Sequence, residues 1–126
     1  MKIVPLLLVG LGGFAGAIAR YLIGLGVSRL AGTGWPWATF AINVSGCFLI
    51  GFFLTYTTER VAAHEAWRFF VPIGFIGSYT TFSTYEWEIL KLSETGAWGR
   101  MLAYVLASTL AGFAAVWLAA SLARRT

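Results

Sequence analysis

The residues able to do chemistry in this 126-residue chain are few, and they lie inside its apolar stretches. Arg20, Asn43 and a run of glycines and hydroxyls over residues 74–85 interrupt segments otherwise built from Leu, Ile, Val, Ala and Phe. An arginine in such a place either favours anions in an adjoining vestibule or snorkels to the headgroups. The Asn43 amide offers two N–H donors, with Thr39 one turn earlier on the same face, and they serve an anion or a neighbouring helix. In Gly74-Phe75-Ile76-Gly77-Ser78-Tyr79-Thr80-Thr81-Phe82-Ser83-Thr84-Tyr85, two glycines and five small or β-branched hydroxyl residues make a poor helix. Unwound backbone at membrane depth is tolerated only inside protein or along a cavity. Its carbonyls suit a cation, and its hydroxyls and N–H groups suit an anion. The positive edge of the Phe82 ring can meet an anion, or the ring is simply packing. Further along, Tyr104, Ser108 and Gly112 form a line carrying two hydroxyls, which either bond back to their own helix or border a narrow aqueous path. The adjacent line, alanine at every fourth position from 103 to 123, reads as a smooth packing face.

The elements that must position these residues follow from composition. Hydrophobic residues make up 59% of the chain and charged residues 11%, against about 45–50% and about 25% in soluble domains. Charge-free runs cover residues 3–19, 30–58, 69–85 and 101–123, and a spanning helix needs roughly 17–25 apolar residues. The chain therefore reads as one all-α transmembrane domain over residues 1–126, with four spans near 4–25, 38–56, 67–90 and 101–123. The third span is broken mid-membrane. Little remains outside the bilayer for a nucleotide-binding or catalytic unit, so an enzyme is not expected. The net charge of +4 is scattered singly or in pairs at helix ends, where it anchors to lipid headgroups rather than to nucleic acid. The single cysteine, Cys47, can form no intrachain disulfide and reads as a small buried hydrophobe. Gly12 and Gly16 have the spacing that lets helix backbones approach closely in lipid. The small residues 15–17 loosely match a leader cleavage site, but the apolar run continues to Val27 and reads as a retained span.

With the amino terminus on one side, that side carries Lys2, Arg60, Arg68, Arg124 and Arg125. The other side carries Arg29, Lys91 and Arg100, joined by Arg20 if it reaches that way. So even a split allows a slight preference for cytoplasmic termini or insertion in both directions. Four short helices also give little wall for a solute path, so assembly is expected, and an antiparallel pair satisfies both facts.

Residues 77–85 with Glu88 after them resemble the signature of the Fluc (CrcB-type) fluoride channels. Trp35-Pro36-Trp37-Ala38-Thr39, Asn43, Gly51 and Arg20 match the same family, and the likeness runs along nearly the whole chain. The resemblance implies a dual-topology antiparallel homodimer in a bacterial or archaeal inner or plasma membrane. It implies two fluoride pores and a structural sodium ion held by main-chain carbonyls of Gly77 and Thr80. It places Asn43, Phe82 and Tyr85 in the pore, makes Thr39, Tyr104 and Ser108 a hydroxyl track, and sets Arg20 and Glu88 near the vestibules. Two departures accompany it: Tyr85 stands where the family has a second phenylalanine, and Ser78 where it has a second glycine. Gly112 stands where the fourth-helix hydroxyl line often continues. A four-helix dual-topology drug or cation exporter is the alternative of similar size, but its expected first-span acid is missing. A small scaffold with polar residues as packing glue is a third.

Overall fold

The computed structural model describes residues 3–61 and 63–126; Lys2, part of the charge comparison above, lies outside them. Helix α1 (Ile3–Ala31) ends at Gly32, whose φ of 75° lets its N–H return to Ser28. Helix α2 (Trp37–Thr55) starts after Pro36 and widens into a π-helical turn at Tyr56–Arg60. The third span comprises α3 (Ala66–Arg68), a π-helical segment Phe69–Ile76, α4 (Gly77–Tyr79) and, past a break, α5 (Phe82–Glu94). Helix α5 stops at a second left-handed glycine, Gly96, where Ala97 N–H bonds back to Leu92 C=O in a Schellman turn. Helix α6 (Trp98–Arg125) completes the chain. Among the described residues there is no strand, and Ile3–Ala31, Trp37–Arg60 and Trp98–Arg125 are each long and apolar enough to cross a membrane.

Glycines set the helix spacing. A Cβ on Gly12 would collide with the Phe70 carbonyl oxygen, and one on Gly16 with the Phe75 carbonyl oxygen. These contacts advance together along both elements, so α1 and the third span run parallel. Helices α2 and α6 are also parallel, in a fixed register of 65 positions. In that register Gly51 lies against Val116, Cys47 against Gly112, and Glu59 against Arg124. Asn43 and Gly46 meet Thr81 and Thr80, and Thr39 meets Glu88 (progress in opposite senses), so α2 is antiparallel to the third span. Odd and even spans thus point opposite ways, as four crossings require. The Arg124–Glu59 ion pair, at 2.9 and 3.1 Å, ties the ends of α2 and α6. At their starts, Arg100 donates to the Gly34 carbonyl.

Gly16→Val should place two methyls on the Phe75 carbonyl and part α1 from the third span. The expected result is a folded fraction on size exclusion well below that of Gly13→Ala, because a Cβ at Gly13 comes no nearer than 4.0 Å to its neighbours.

Three expectations shift. Helix α1 runs six residues past the expected end, so Arg20 lies about three turns from the helix terminus rather than one or two. The alanine line is not one face: Ala119 and Ala123 are fully buried, whereas Ala103 is exposed. A four-residue repeat drifts about 40° per step on a 3.6-residue helix, and the buried stripe passes from Tyr104 and Gly112 to Ala119 and Ala123. The third-span glycines are not themselves the break. Gly74 is held in the π segment by the close approach of Val9 and Gly12, and Gly77 remains helical. The π segment contains Pro72, which has no N–H to give to an α-helical bond.

Candidate ion pathway

The chain leaves helical geometry at Thr80, with ψ 157°, and Thr81, with φ −146° and ψ 108°. Thr81 makes four hydrogen bonds there. Its hydroxyl accepts from Thr84 N–H at 3.3 Å and so caps α5, and it donates to the Thr84 hydroxyl at 3.0 Å. Its backbone N–H donates to Asn43 Oδ1 at 2.8 Å, and its carbonyl accepts from Asn43 Nδ2 at 3.0 Å. Only 7% of Thr81 is exposed, so water cannot stand in for these bonds. Asn43 therefore clamps the break from α2, and one of its amide hydrogens is left over from this exchange.

The same bonds release two carbonyls. A continuous helix would spend Thr81 N–H on Gly77 C=O and Thr84 N–H on Thr80 C=O. Here those donors go to Asn43 and to the Thr81 hydroxyl. Gly77 is exposed and Thr80 partly so. The Thr80 hydroxyl bonds back to Ile76 C=O at 2.9 Å, and the Ser78 hydroxyl donates to Gly13 C=O at 2.6 Å. Ser78 thereby ties α4 to α1. The Tyr79 and Ser45 hydroxyls share a 2.8 Å bond that fixes α4 to α2.

Along the α2–α6 seam the expected hydroxyls come together. Thr39 Oγ1 donates to Glu88 Oε1 and Tyr104 OH to Glu88 Oε2, both at 2.7 Å. Thr39 is buried, and Tyr104 has no exposed surface. Glu88 is held by hydroxyls, and among the described residues no cation pairs with it. It forms the floor of a cleft of about 390 Å³ at one end of the bundle, walled by Gly34, Trp35, Trp37, Trp87 and Lys91. Lys91 sits 4.5 Å over the Trp87 ring and 2.7 Å from Glu94. Trp35 lies edge-on to Tyr104 with centroids 5.0 Å apart. The register of the seam sets Ser108 opposite Asn43. Among the described residues, the Ser108 hydroxyl is the buried side-chain polar atom with no partner.

Phe82 opens α5 and is 73% exposed. With Asn43, Thr80, Thr81, Gly46 and Cys47 it lines a second open cleft, of about 300 Å³. Its ring lies 5.9 Å from Tyr85, and Tyr85 lies 5.1 Å from Tyr104, so aromatic rings run from the break to the glutamate floor. Arg20 stands apart: it is partly covered on α1 and lines neither cleft. Thr81 counted in the sequence only as one hydroxyl of the run, although a threonine immediately before an apolar residue is a helix-start signal. The Asn43 clamp had no local signal at all, because its partner is 38 positions away.

The protein-family model described as "CrcB-like protein, Camphor Resistance (CrcB)" matches residues 7–120. A Solibacter usitatus protein named fluoride-specific ion channel FluC is 47% identical over 119 residues, covering 94% of this chain and 98% of its own. A protein of that name from Koribacter versatilis is 44% identical over 124 residues, with 98% of both chains covered. Another, from Acidobacterium capsulatum, is 48% identical over 110 residues, or 87% of this chain and 88% of its own. With its helices of membrane-crossing length, this chain belongs to the CrcB family of bacterial multi-pass membrane proteins.

Proposed function

We propose that this chain forms a fluoride-selective channel through which the ion leaves the cell passively. The observation that carries the reading is a pair of unspent neutral donors on the seam, the buried and unpartnered Ser108 hydroxyl and the second Asn43 amide hydrogen, beside the Thr39 and Tyr104 hydroxyls that Glu88 holds. Fluoride holds its water tightly, and losing that water is costly unless other donors replace it. Neutral hydroxyls and ring edges supply replacements without a fixed cation that would trap the ion. The relatives' name, fluoride-specific ion channel, agrees with this chemistry.

The pore then runs beside Phe82 and Tyr85, past Asn43 and Ser108, to the Thr39–Tyr104–Glu88 end, with Arg20 serving the other vestibule. A second copy in antiparallel orientation completes the structure and gives two pores. The exposed Phe82 and Gly77 at the break are the surface such a copy would cover. The carbonyls of Gly77 and Thr80, freed from helical bonding, fit a structural sodium ion, whose hard charge oxygen ligands satisfy. A sodium ion held there would offset the partial negative charge of those carbonyl oxygens; the chain's own part is to hold the break open through Asn43 and Thr81.

Purified protein in liposomes loaded with fluoride, with sodium present, should release the ion to an external electrode, while chloride-loaded vesicles show no comparable release. Fluoride release no faster than from empty liposomes would falsify the channel. Export of an organic cation driven by a proton gradient would instead favour the drug-exporter reading.

A further inference from the structure

Between the two carbonyls freed at the break, on Gly77 and Thr80, stand only Ser78 and Tyr79. Each of these two residues is anchored to a different neighbouring helix. The Ser78 hydroxyl donates to the Gly13 carbonyl of α1 at 2.6 Å. It occupies space that Gly16 leaves open, since a Cβ there would lie 2.5 Å from the same hydroxyl oxygen. The Tyr79 hydroxyl shares its 2.8 Å bond with Ser45 of α2. Tyr79 is 3% exposed, and its ring is stacked on Phe75 with centroids 5.8 Å apart. Gly46 brings α2 equally close, because a Cβ there would collide with the Thr80 methyl. The Ile76 carbonyl accepts both the Thr80 N–H, at 3.0 Å, and the Thr80 hydroxyl, at 2.9 Å. Both Thr80 donors are thus spent on Ile76 and make no claim on the Gly77 oxygen.

We infer that Ser78 and Tyr79 are positioning residues for a cation at the break, their ties to α1 and α2 holding the peptide groups between the Gly77 and Thr80 carbonyls in place. This rests on the sodium reading proposed above and goes beyond it by naming the side chains that set the site. A hard cation gains from carbonyl oxygens once they are turned toward it and held against their mutual repulsion. A continuous helix spends those oxygens internally, and a loose segment leaves the ion to bear the ordering cost, which weakens binding. Anchoring residues 78 and 79 to two helices removes both obstacles. A site held by its surroundings also discriminates by ion size, because selectivity depends on how far the ligands can adjust.

Thermal melting of purified protein in detergent tests the inference, with sodium titrated against N-methylglucamine and potassium run in parallel. The reading is the sodium concentration that gives half of the full protection. Ser78→Ala and Tyr79→Phe should each raise it about threefold, the scale of one hydrogen bond between membrane helices. The double variant should raise it about tenfold, because the two ties reach different helices. The preference for sodium over potassium should narrow in the same order. Arg124→Gln, which cuts the distant ion pair to Glu59, should lower melting but leave the sodium concentration at half protection unchanged. Variants that melt lower by one amount at every sodium concentration, with the half-protection point at the parental value, overturn the inference and leave Ser78 and Tyr79 as fasteners between helices. Should Ser78→Ala fail to fold, Tyr79→Phe alone makes the comparison, because its ring keeps the stack on Phe75. A parent whose melting ignores sodium sinks the sodium reading itself. A sodium-sensitive parent with variants of equal half-protection point sinks only the positioning role.

Discussion

Phe82→Ile should stop fluoride efflux, by at least about a hundredfold, while the protein still folds and assembles. The residue is poorly suited to a structural role within one chain: 73% of it is exposed, and it is the first residue of α5, beyond the cap set by Thr81. A substitution on such a surface usually changes stability by less than about 0.5 kcal/mol. Isoleucine keeps the apolar character and much of the bulk, so lipid or a second copy meets a similar face. It lacks the ring edge, whose partial positive charge is what an anion would meet. The Phe82 ring also stands at the head of the sequence Phe82, Tyr85, Tyr104 that leads toward Glu88. The measurement pairs efflux with size exclusion and thermal melting on one preparation. Near-parental efflux removes Phe82 from the pathway. Lost efflux with a collapsed elution profile assigns it to assembly instead.

How far the sequence discloses this arrangement depends on the range of the interaction involved. The four spans are legible because charge and apolar runs are local properties, and Gly12 and Gly16 are legible because close backbone approach in lipid selects small residues. That the third span breaks is legible from its glycines and hydroxyls. Where it breaks is not. Gly74 and Gly77 look like the weak points, yet the first is fixed by contact with α1 and the second stays helical. The break falls at Thr80 and Thr81 because Asn43, on another helix, takes the N–H that would have continued the helix. The end of α1 is set by the positive φ of Gly32, a turn signal that competes with an apolar run already long enough to span. The π-helical segments leave no periodic trace; only Pro72 inside one hints at an altered bonding pattern. At the candidate site, residue types were readable and pairings were not. Thr39, Tyr104 and Glu88 carry suitable groups, but their union at one carboxylate requires the register between α2 and α6 and the depth of α5. Lys91, on the rim of the same cleft, counted only as a topological charge until its place over Trp87 was visible.

Asn43→Ala is the complementary experiment, because here function and fold should fail together. Two bonds to Thr81 are lost, and the Thr81 N–H and C=O are left unpaired in a residue that is 7% exposed. Side-chain hydrogen bonds between membrane helices are modest, averaging about 0.6 kcal/mol. An unsatisfied buried backbone group costs more, about 1–3 kcal/mol, and two such groups put the expected loss near about 2 kcal/mol or above. The cheapest relief is for Thr81 to rejoin the helix by donating to Gly77 C=O. That closes the break, rotates the start of α5 and carries Phe82 and Tyr85 out of place. It also withdraws one of the two carbonyls proposed for sodium. Efflux should therefore fall by at least about a hundredfold, and the melting temperature should drop by several degrees, whereas Phe82→Ile leaves melting unchanged. The protection that sodium gives against melting should shrink in Asn43→Ala and persist in Phe82→Ile. If Asn43→Ala melts early but still conducts at the parental rate, the amide is only a fastener between helices and the donors along the seam must carry the ion without it.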